Sequence, residues 1–81
     1  MLGAMGSNNK TVKISVRLLD EGTSVFRPTL ALDLRDGLFR ILPTSDYDPE
    51  NETWEFVPGS IVRAEMRASG SGEFLIAVAA N

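Results

Sequence analysis

The segment Trp54–Arg63 constrains the fold more than any other part of this 81-residue chain. If the segment is extended, Trp54 and Phe56 lie on the same side of it, because side chains alternate along a strand. Pro58 fixes its own φ and Gly59 tolerates a positive φ, so the chain can turn sharply between them. An alternating apolar run follows the turn at once. The segment therefore predicts a corner in a small and strongly bent β-sheet.

Alternating hydrophobicity continues through most of the chain and predicts about five strands and no helix. In residues 12–18 the apolar side chains fall on one side and Lys13, Ser15 and Arg17 on the other, which is typical of a half-buried strand. Asp36 and Gly37 stand between two apolar runs and predict a tight hairpin. A two-sheet sandwich normally needs about 100 residues. We therefore expect an all-β fold, a five-stranded antiparallel small barrel.

The faces of three strands need separate predictions. In residues 25–34 the even-numbered apolar residues share a face, and Pro28 marks an edge or a bulge because it cannot donate to a ladder. In residues 38–42 we place Phe39 and Ile41 inward, which sends Arg40 to solvent. Residues 73–79 are apolar on both faces, so this last strand is either central or covered, and a second copy of the chain could cover it.

The length of the chain allows one domain. We expect residues 1–9 to be a disordered tail, native or left by a purification tag, and residues 10–81 to form the single domain. There is no cysteine, so no disulfide or thiolate zinc site is available. No apolar stretch approaches the roughly 20 residues that span a bilayer. With no start typical of a secretion signal, we expect a cytoplasmic protein without a membrane partner.

The formal net charge of −3 is unevenly distributed. Residues 46–55 hold five of the eleven acidic residues and no basic residue. An acidic chain is poorly suited to neutralise phosphates, so nucleic acid is an unfavoured partner.

Catalysis and metal binding are both poorly supported by the residues available. The chain has no histidine and no cysteine, so the usual general base and the thiolate nucleophile are missing. The closely spaced acidic side chains of residues 46–52 are the oxygen ligands that calcium prefers, but their spacing does not fit the twelve-residue calcium loop. We expect a solvated acidic loop, no cofactor and no enzyme activity.

The acidic loop also contains Tyr47 and ends next to Trp54, and aromatic side chains beside carboxylates can grip extended proline-rich or basic peptides. The candidate peptide-binding residues are Tyr47, Asp48, Glu50, Glu52 and Trp54. The alternative is that Trp54 belongs to the core with Phe56.

Arginines on four different strands are predicted to point away from the core and could bind an anion or nucleic acid. These candidate anion-binding residues are Arg17, Arg27, Arg40 and Arg63. The alternative is ordinary cross-strand pairing with carboxylates, which contributes little to stability.

The order of strands and turns is similar to that of SH3-like small barrels. Residues 56–62 resemble the phrase F-x-P-G-x-x-V, which opens a strand in many such barrels. A fuller set looks like a group of uncharacterised short bacterial proteins: Leu19–Thr23 with Val25, Arg27 and Pro28, then Asp36, Gly37 and Phe39–Leu42, then Trp54–Phe56 with Pro58–Ser60. The resemblance covers residues 12–67 and implies an SH3-like fold and a bacterial origin, with no function to carry over.

These observations lead to one functional prediction and two alternatives. We expect a non-catalytic module that binds an unidentified protein partner, a basic or proline-containing segment, through the acidic loop 46–55. The first alternative is a nucleic-acid-contacting barrel that uses the arginines. The second is a homodimer or larger homo-oligomer with a structural role.

Overall fold

The computed structural model describes residues 10–70 and 72–80 of the chain. These residues form an all-β fold, as the sequence predicts, and contain no helix. The predicted tail 1–9 lies outside the described residues. The six strands are β1 (Thr11–Leu19), β2 (Val25–Arg35), β3 (Leu38–Ile41), β4 (Thr53–Trp54), β5 (Ile61–Ser69) and β6 (Gly72–Ala79).

Five of the strands close into a ring in the order β1-β2-β3-β5-β6, and β6 returns to β1. The short strand β4 adds to β1 outside this order. Neighbouring strands around the ring are antiparallel except at the β1–β6 seam, which is parallel. When five strands alternate in direction, the first and the fifth run the same way, and these two are neighbours where the ring closes. The expectation of an entirely antiparallel arrangement therefore fails at this one seam.

The core fills the inside of the ring, and β1 contributes most to it. Ile14 and Val16 are almost completely buried, as the alternation of β1 predicts, and Ile41 is fully buried on β3. Phe39 packs against the same cluster while Arg40 is exposed, so the predicted face of β3 is confirmed. Burial of such side chains contributes roughly 1.5–3 kcal/mol each.

The outward direction predicted for Arg27 implies that the even-numbered residues of β2 face the core. This is wrong for most of the strand, because its odd-numbered residues face the core. Thr29 and Ala31 are buried, whereas Leu30 is 49% exposed. Ala31 lies opposite Val12, and Thr29 lies opposite Ile14. A ring of only five strands leaves little room inside, so the bulky side chains of β1 are matched by small ones on β2. The Thr29 hydroxyl donates to the Leu42 carbonyl at 2.6 Å, which satisfies it inside the protein.

Both predicted turns are present. The β2–β3 hairpin turns at Asp36 and Gly37 with φ of 58° and 77°, the positive values that a tight hairpin requires. The corner before β5 turns at Gly59, whose φ is 95°. Its amide donates to the Ile41 carbonyl at 2.7 Å, and this bond holds the corner against β3.

The last strand is buried on both faces at its middle, as its composition suggests. Ala77 belongs to the core cluster, whereas Ile76 is buried but lies outside that cluster. On the outer face Phe26 and Phe74 meet edge to face with ring centroids 5.8 Å apart. The β1–β6 seam thus has apolar side chains on both of its sides.

Candidate binding site at the acidic loop

The acidic loop is an ordered turn that Asp48 builds. The Asp48 carbonyl accepts hydrogen bonds from the amides of Asn51 and Glu52, both at 3.0 Å. Its carboxylate accepts from the Glu50 amide at 2.9 Å and from the Asn51 side-chain amide at 2.8 Å. Asp48 therefore has a structural role. This role reduces its capacity to bind a peptide, which is the role that the sequence predicts for it.

Trp54 belongs to the core and does not line an open groove. It is 3% exposed and lies in β4, opposite Leu18 of β1. The Tyr47 ring meets it edge to face, with centroids 4.8 Å apart, and is itself half-buried. The structure thus favours the core alternative for Trp54, and the aromatic platform expected for a proline-rich peptide is turned inward.

Glu52 joins the loop to the inside of the ring. Its carboxylate accepts from the Trp54 indole at 3.0 Å and from Arg27 Nε at 3.2 Å, and Arg27 Nη2 forms an ion pair with its second oxygen. The hydrogen bond from Arg27 is the main reason why the pKa of Glu52 is lowered, and the bond from Trp54 adds to it. The same hydrogen bond raises the pKa of Arg27. With these two partners, the hydrogen-bonding capacity of the Glu52 carboxylate is largely used within the chain.

The four candidate arginines do not form one face. Arg27 lies opposite the buried Val16 and points to the same side of the sheet, so its predicted outward direction is wrong. Arg17 and Arg40 are exposed on different parts of the ring. Arg63 is exposed but donates to the carbonyls of Ala80 at 3.1 Å and Asp36 at 3.3 Å. This bridge connects the β2–β3 hairpin to the residue that follows β6.

The Arg27–Glu52 pair is the contact that sequence reasoning missed. The two residues are 25 positions apart, and the face assigned to β2 sent Arg27 in the wrong direction. A usable signal was present, because aligning β1 with β2 through the turn at 20–23 places Arg27 opposite Val16. Hairpin register would thus have corrected the face that hydrophobicity alone misassigned.

Pairing between β1 and β4 brings a second acidic segment to the loop. Leu19 lies opposite Thr53, so the turn that follows β1 lies beside the residue that precedes β4. We call the resulting surface the acidic end. It holds seven of the eleven acidic residues: Asp20, Glu21, Asp46, Asp48, Glu50, Glu52 and Glu55. An open cleft of about 330 Å³ runs along residues 17–24 at this end.

Five carboxylates of the acidic end are exposed and have no side-chain hydrogen bond or ion pair in the described part of the chain: Asp20, Glu21, Asp46, Glu50 and Glu55. They are the groups through which this surface can bind a positively charged ligand. No group of three or more potential metal ligands that could hold an ion occurs within residues 10–70 and 72–80.

Comparisons with known proteins give no relative from which a function could be carried over. No family model, no curated protein and no solved structure matches the chain. Among the described residues, no helix has the length and apolar character needed to cross a membrane.

Proposed function

We propose that this protein is a non-catalytic module that binds a positively charged segment of a partner protein at its acidic end. The observation that carries the proposal is the pairing of β1 with β4, which joins two acidic segments beside an open cleft. Complementary potentials speed the encounter of two proteins and reject partners of the wrong sign. The inward position of Trp54 favours a basic ligand over a proline-rich one.

The finer features of the fold belong to the same proposal. We infer that the ring of five strands is an SH3-like small barrel, a scaffold on which binding surfaces are formed by the connecting loops. The Pro58–Gly59 corner and the Asp36–Gly37 hairpin support this assignment. The resemblance of residues 12–67 to short bacterial proteins supports a bacterial cytoplasm as the setting. The lack of histidine and cysteine supports a role without catalysis.

The test measures binding of a fluorescently labelled oligoarginine peptide by anisotropy. The test variant replaces Asp46→Asn, Glu50→Gln and Glu55→Gln at the acidic end. The matched control replaces Asp36→Asn, Glu65→Gln and Glu73→Gln, which changes the net charge equally and lies outside the acidic end. We expect the test variant to bind at least about tenfold more weakly, or about 1.4 kcal/mol.

Three outcomes would overturn this function. Equal losses in the two variants would mean that the peptide responds only to net charge. Undiminished binding by the test variant would place the ligand elsewhere. Binding of random oligonucleotides with an affinity that falls steeply as salt rises would instead favour the nucleic-acid alternative.

A further inference from the structure

The second half of β5 projects from the ring as one strand of a hairpin with β6. Strand β3 pairs with β5 only at Val62 and Ile61, whereas β6 pairs with β5 up to Ser69. From Ala64 to Ala68, no strand of the described chain pairs with the other edge of β5. An unpaired strand edge presents amides and carbonyls that can pair with another chain.

The side chains along this edge are exposed and partly apolar. Met66 is 56% exposed, although it stands on the core-facing side of β5 between Ala64 and Ala68. Glu65 and Arg67 point to the opposite side and form an exposed ion pair with each other at 3.3 Å. Free backbone groups, a large exposed apolar side chain and charges of both signs thus occur within five residues.

We propose that this edge pairs with the same edge of a second copy of the chain, as an antiparallel β5–β5 ladder with its twofold axis at Met66. In this register the Met66 side chains of the two copies face each other. Ala64 lies opposite the partner's Ala68, and Glu65 lies opposite the partner's Arg67. Opposite charges on directly facing residues stabilise antiparallel strands. The surface is self-complementary, as a twofold interface requires.

Neighbouring registers are less favourable for reasons that the sequence of β5 supplies. An axis at Glu65 or at Arg67 would set two like charges directly opposite each other, which is destabilising. An axis at Ala64 would place Met66 opposite the partner's Val62, whose edge β3 already occupies. An axis between two residues is excluded, because facing residues in an antiparallel ladder must expose their hydrogen-bonding groups to the same edge. Among these registers, Met66 is therefore the favoured centre.

The proposed interface is separate from the acidic end. Strand β6 is parallel to β1, with Ile76 opposite Ser15, so the tip of the β5–β6 hairpin lies level with the start of β1. The acidic loop meets the end of β1 at Leu19. A dimer through β5 would thus leave both acidic ends free, and this inference goes beyond the proposed function. A short ladder buries little surface, and such interfaces are typical of weak or transient association.

The experiment is a charge swap read out by sedimentation velocity from micromolar to millimolar protein. Glu65→Arg sets two arginines opposite each other in the proposed register, and Arg67→Glu sets two glutamates opposite each other. We expect each substitution to weaken dimerisation by about tenfold or more. The double variant Glu65→Arg/Arg67→Glu restores opposite charges and should dimerise like the wild type. Since these side chains are exposed, circular dichroism should report an unchanged fold for all three.

A control and a direct probe complete the design. Glu21→Arg makes the same charge change as Glu65→Arg in the exposed turn after β1, at the opposite end of β1 from the tip of the β5–β6 hairpin, and should leave dimerisation within about twofold of wild type. In a mixture of labelled and unlabelled protein, isotope-filtered contacts should connect residue 66 of the two copies. A wild type that stays monomeric at millimolar concentration would overturn the proposal. So would single variants that dimerise normally, or a double variant that does not recover.

Discussion

At the scale of single residues, Gly59 stabilises the corner through its backbone alone. Its φ is 95°, and a Cβ added there would meet no atom within 4 Å. Gly70 also has space for a Cβ, but its φ lies outside the positive range. We expect Gly59→Ala to lower the free energy of unfolding by about 1–3 kcal/mol, because an L side chain is strained at such a φ.

Gly70→Ala is the matched control for this effect and should change stability by less than about 0.5 kcal/mol. Urea unfolding followed by circular dichroism measures both variants. Similar losses in the two would mean that the positive φ of Gly59 does not decide the cost of a side chain at the corner.

Substitutions of Glu52 and of the nearby Glu50 should affect stability differently. Glu52 binds Arg27 and Trp54, whereas Glu50 is exposed and its carboxylate has no partner in the described chain. We expect Glu52→Gln to lower the free energy of unfolding by about 1 kcal/mol at neutral pH, since water screens the exposed part of Arg27. Glu50→Gln should cost almost nothing. Reversing the charge of the whole loop would therefore affect the fold through Glu52.

The contribution of Glu52 must also depend on pH. Its pKa in the folded protein lies below the ordinary value of 4.5, because Arg27 and Trp54 stabilise the carboxylate. Its stabilisation is therefore complete above the unfolded pKa and disappears as pH falls through the folded one. The difference in stability between wild type and Glu52→Gln should shrink as the solution is acidified below this value. A difference that stays constant to strongly acidic pH would refute this assignment.

At the scale of elements, β4 shows how a strand of two residues can be essential. Its Trp54 is buried, and its Thr53 is exposed. We expect Trp54→Ala to lower the free energy of unfolding by about 3–5 kcal/mol, because the core loses a large aromatic side chain. Thr53→Ala, in the same strand, should stay within about 0.5 kcal/mol of wild type. Denaturant unfolding of the two variants checks this, and comparable losses would mean that burial of the Trp54 side chain is not what makes β4 important.

The sequence predicts an element well where the element depends on local features, and less well where it depends on the space inside the ring. Strand β1 and the Asp36–Gly37 hairpin were predicted well, because alternation and turn chemistry act locally. The face of β2 was misassigned, since hydrophobicity favours Leu30 although the narrow ring accommodates Thr29 and Ala31. A pattern of polarity carries no information on the volume available inside a closed ring.

The candidate site was predicted less completely, for a related reason. The acidic loop, its carboxylates and the core alternative for Trp54 were evident from the sequence. The role of Asp48 inside the turn and the bond between Arg27 and Glu52 depend on tertiary register. The addition of Asp20 and Glu21 to the acidic surface depends on the pairing of β1 with β4. Contacts of this kind, between side chains far apart in sequence, can be identified only once the register between their strands is known.

At the scale of the whole molecule, the acidic end must cost stability. Seven carboxylates gather there with only Arg17 and Arg27 to offset them, whereas the rest of the chain has six basic and four acidic residues. Like charges that share one surface repel each other, and this repulsion is strongest at low ionic strength. A binding surface is a place where proteins accept such a cost in exchange for recognition. The proposed function therefore predicts that weakening the surface strengthens the fold.

The variant Asp46→Asn/Glu50→Gln/Glu55→Gln tests this, because it removes three exposed charges and no bond between side chains. We expect it to melt a few degrees above wild type at low salt, with the difference shrinking as salt screens the remaining charges. The control Asp36→Asn/Glu65→Gln/Glu73→Gln removes as many charges outside the acidic end, including one that pairs with Arg67. It should gain less stability, or none. A test variant no more stable than this control would mean that the acidic end carries no repulsion to be relieved, and the argument that its charges are kept for recognition would fail with it.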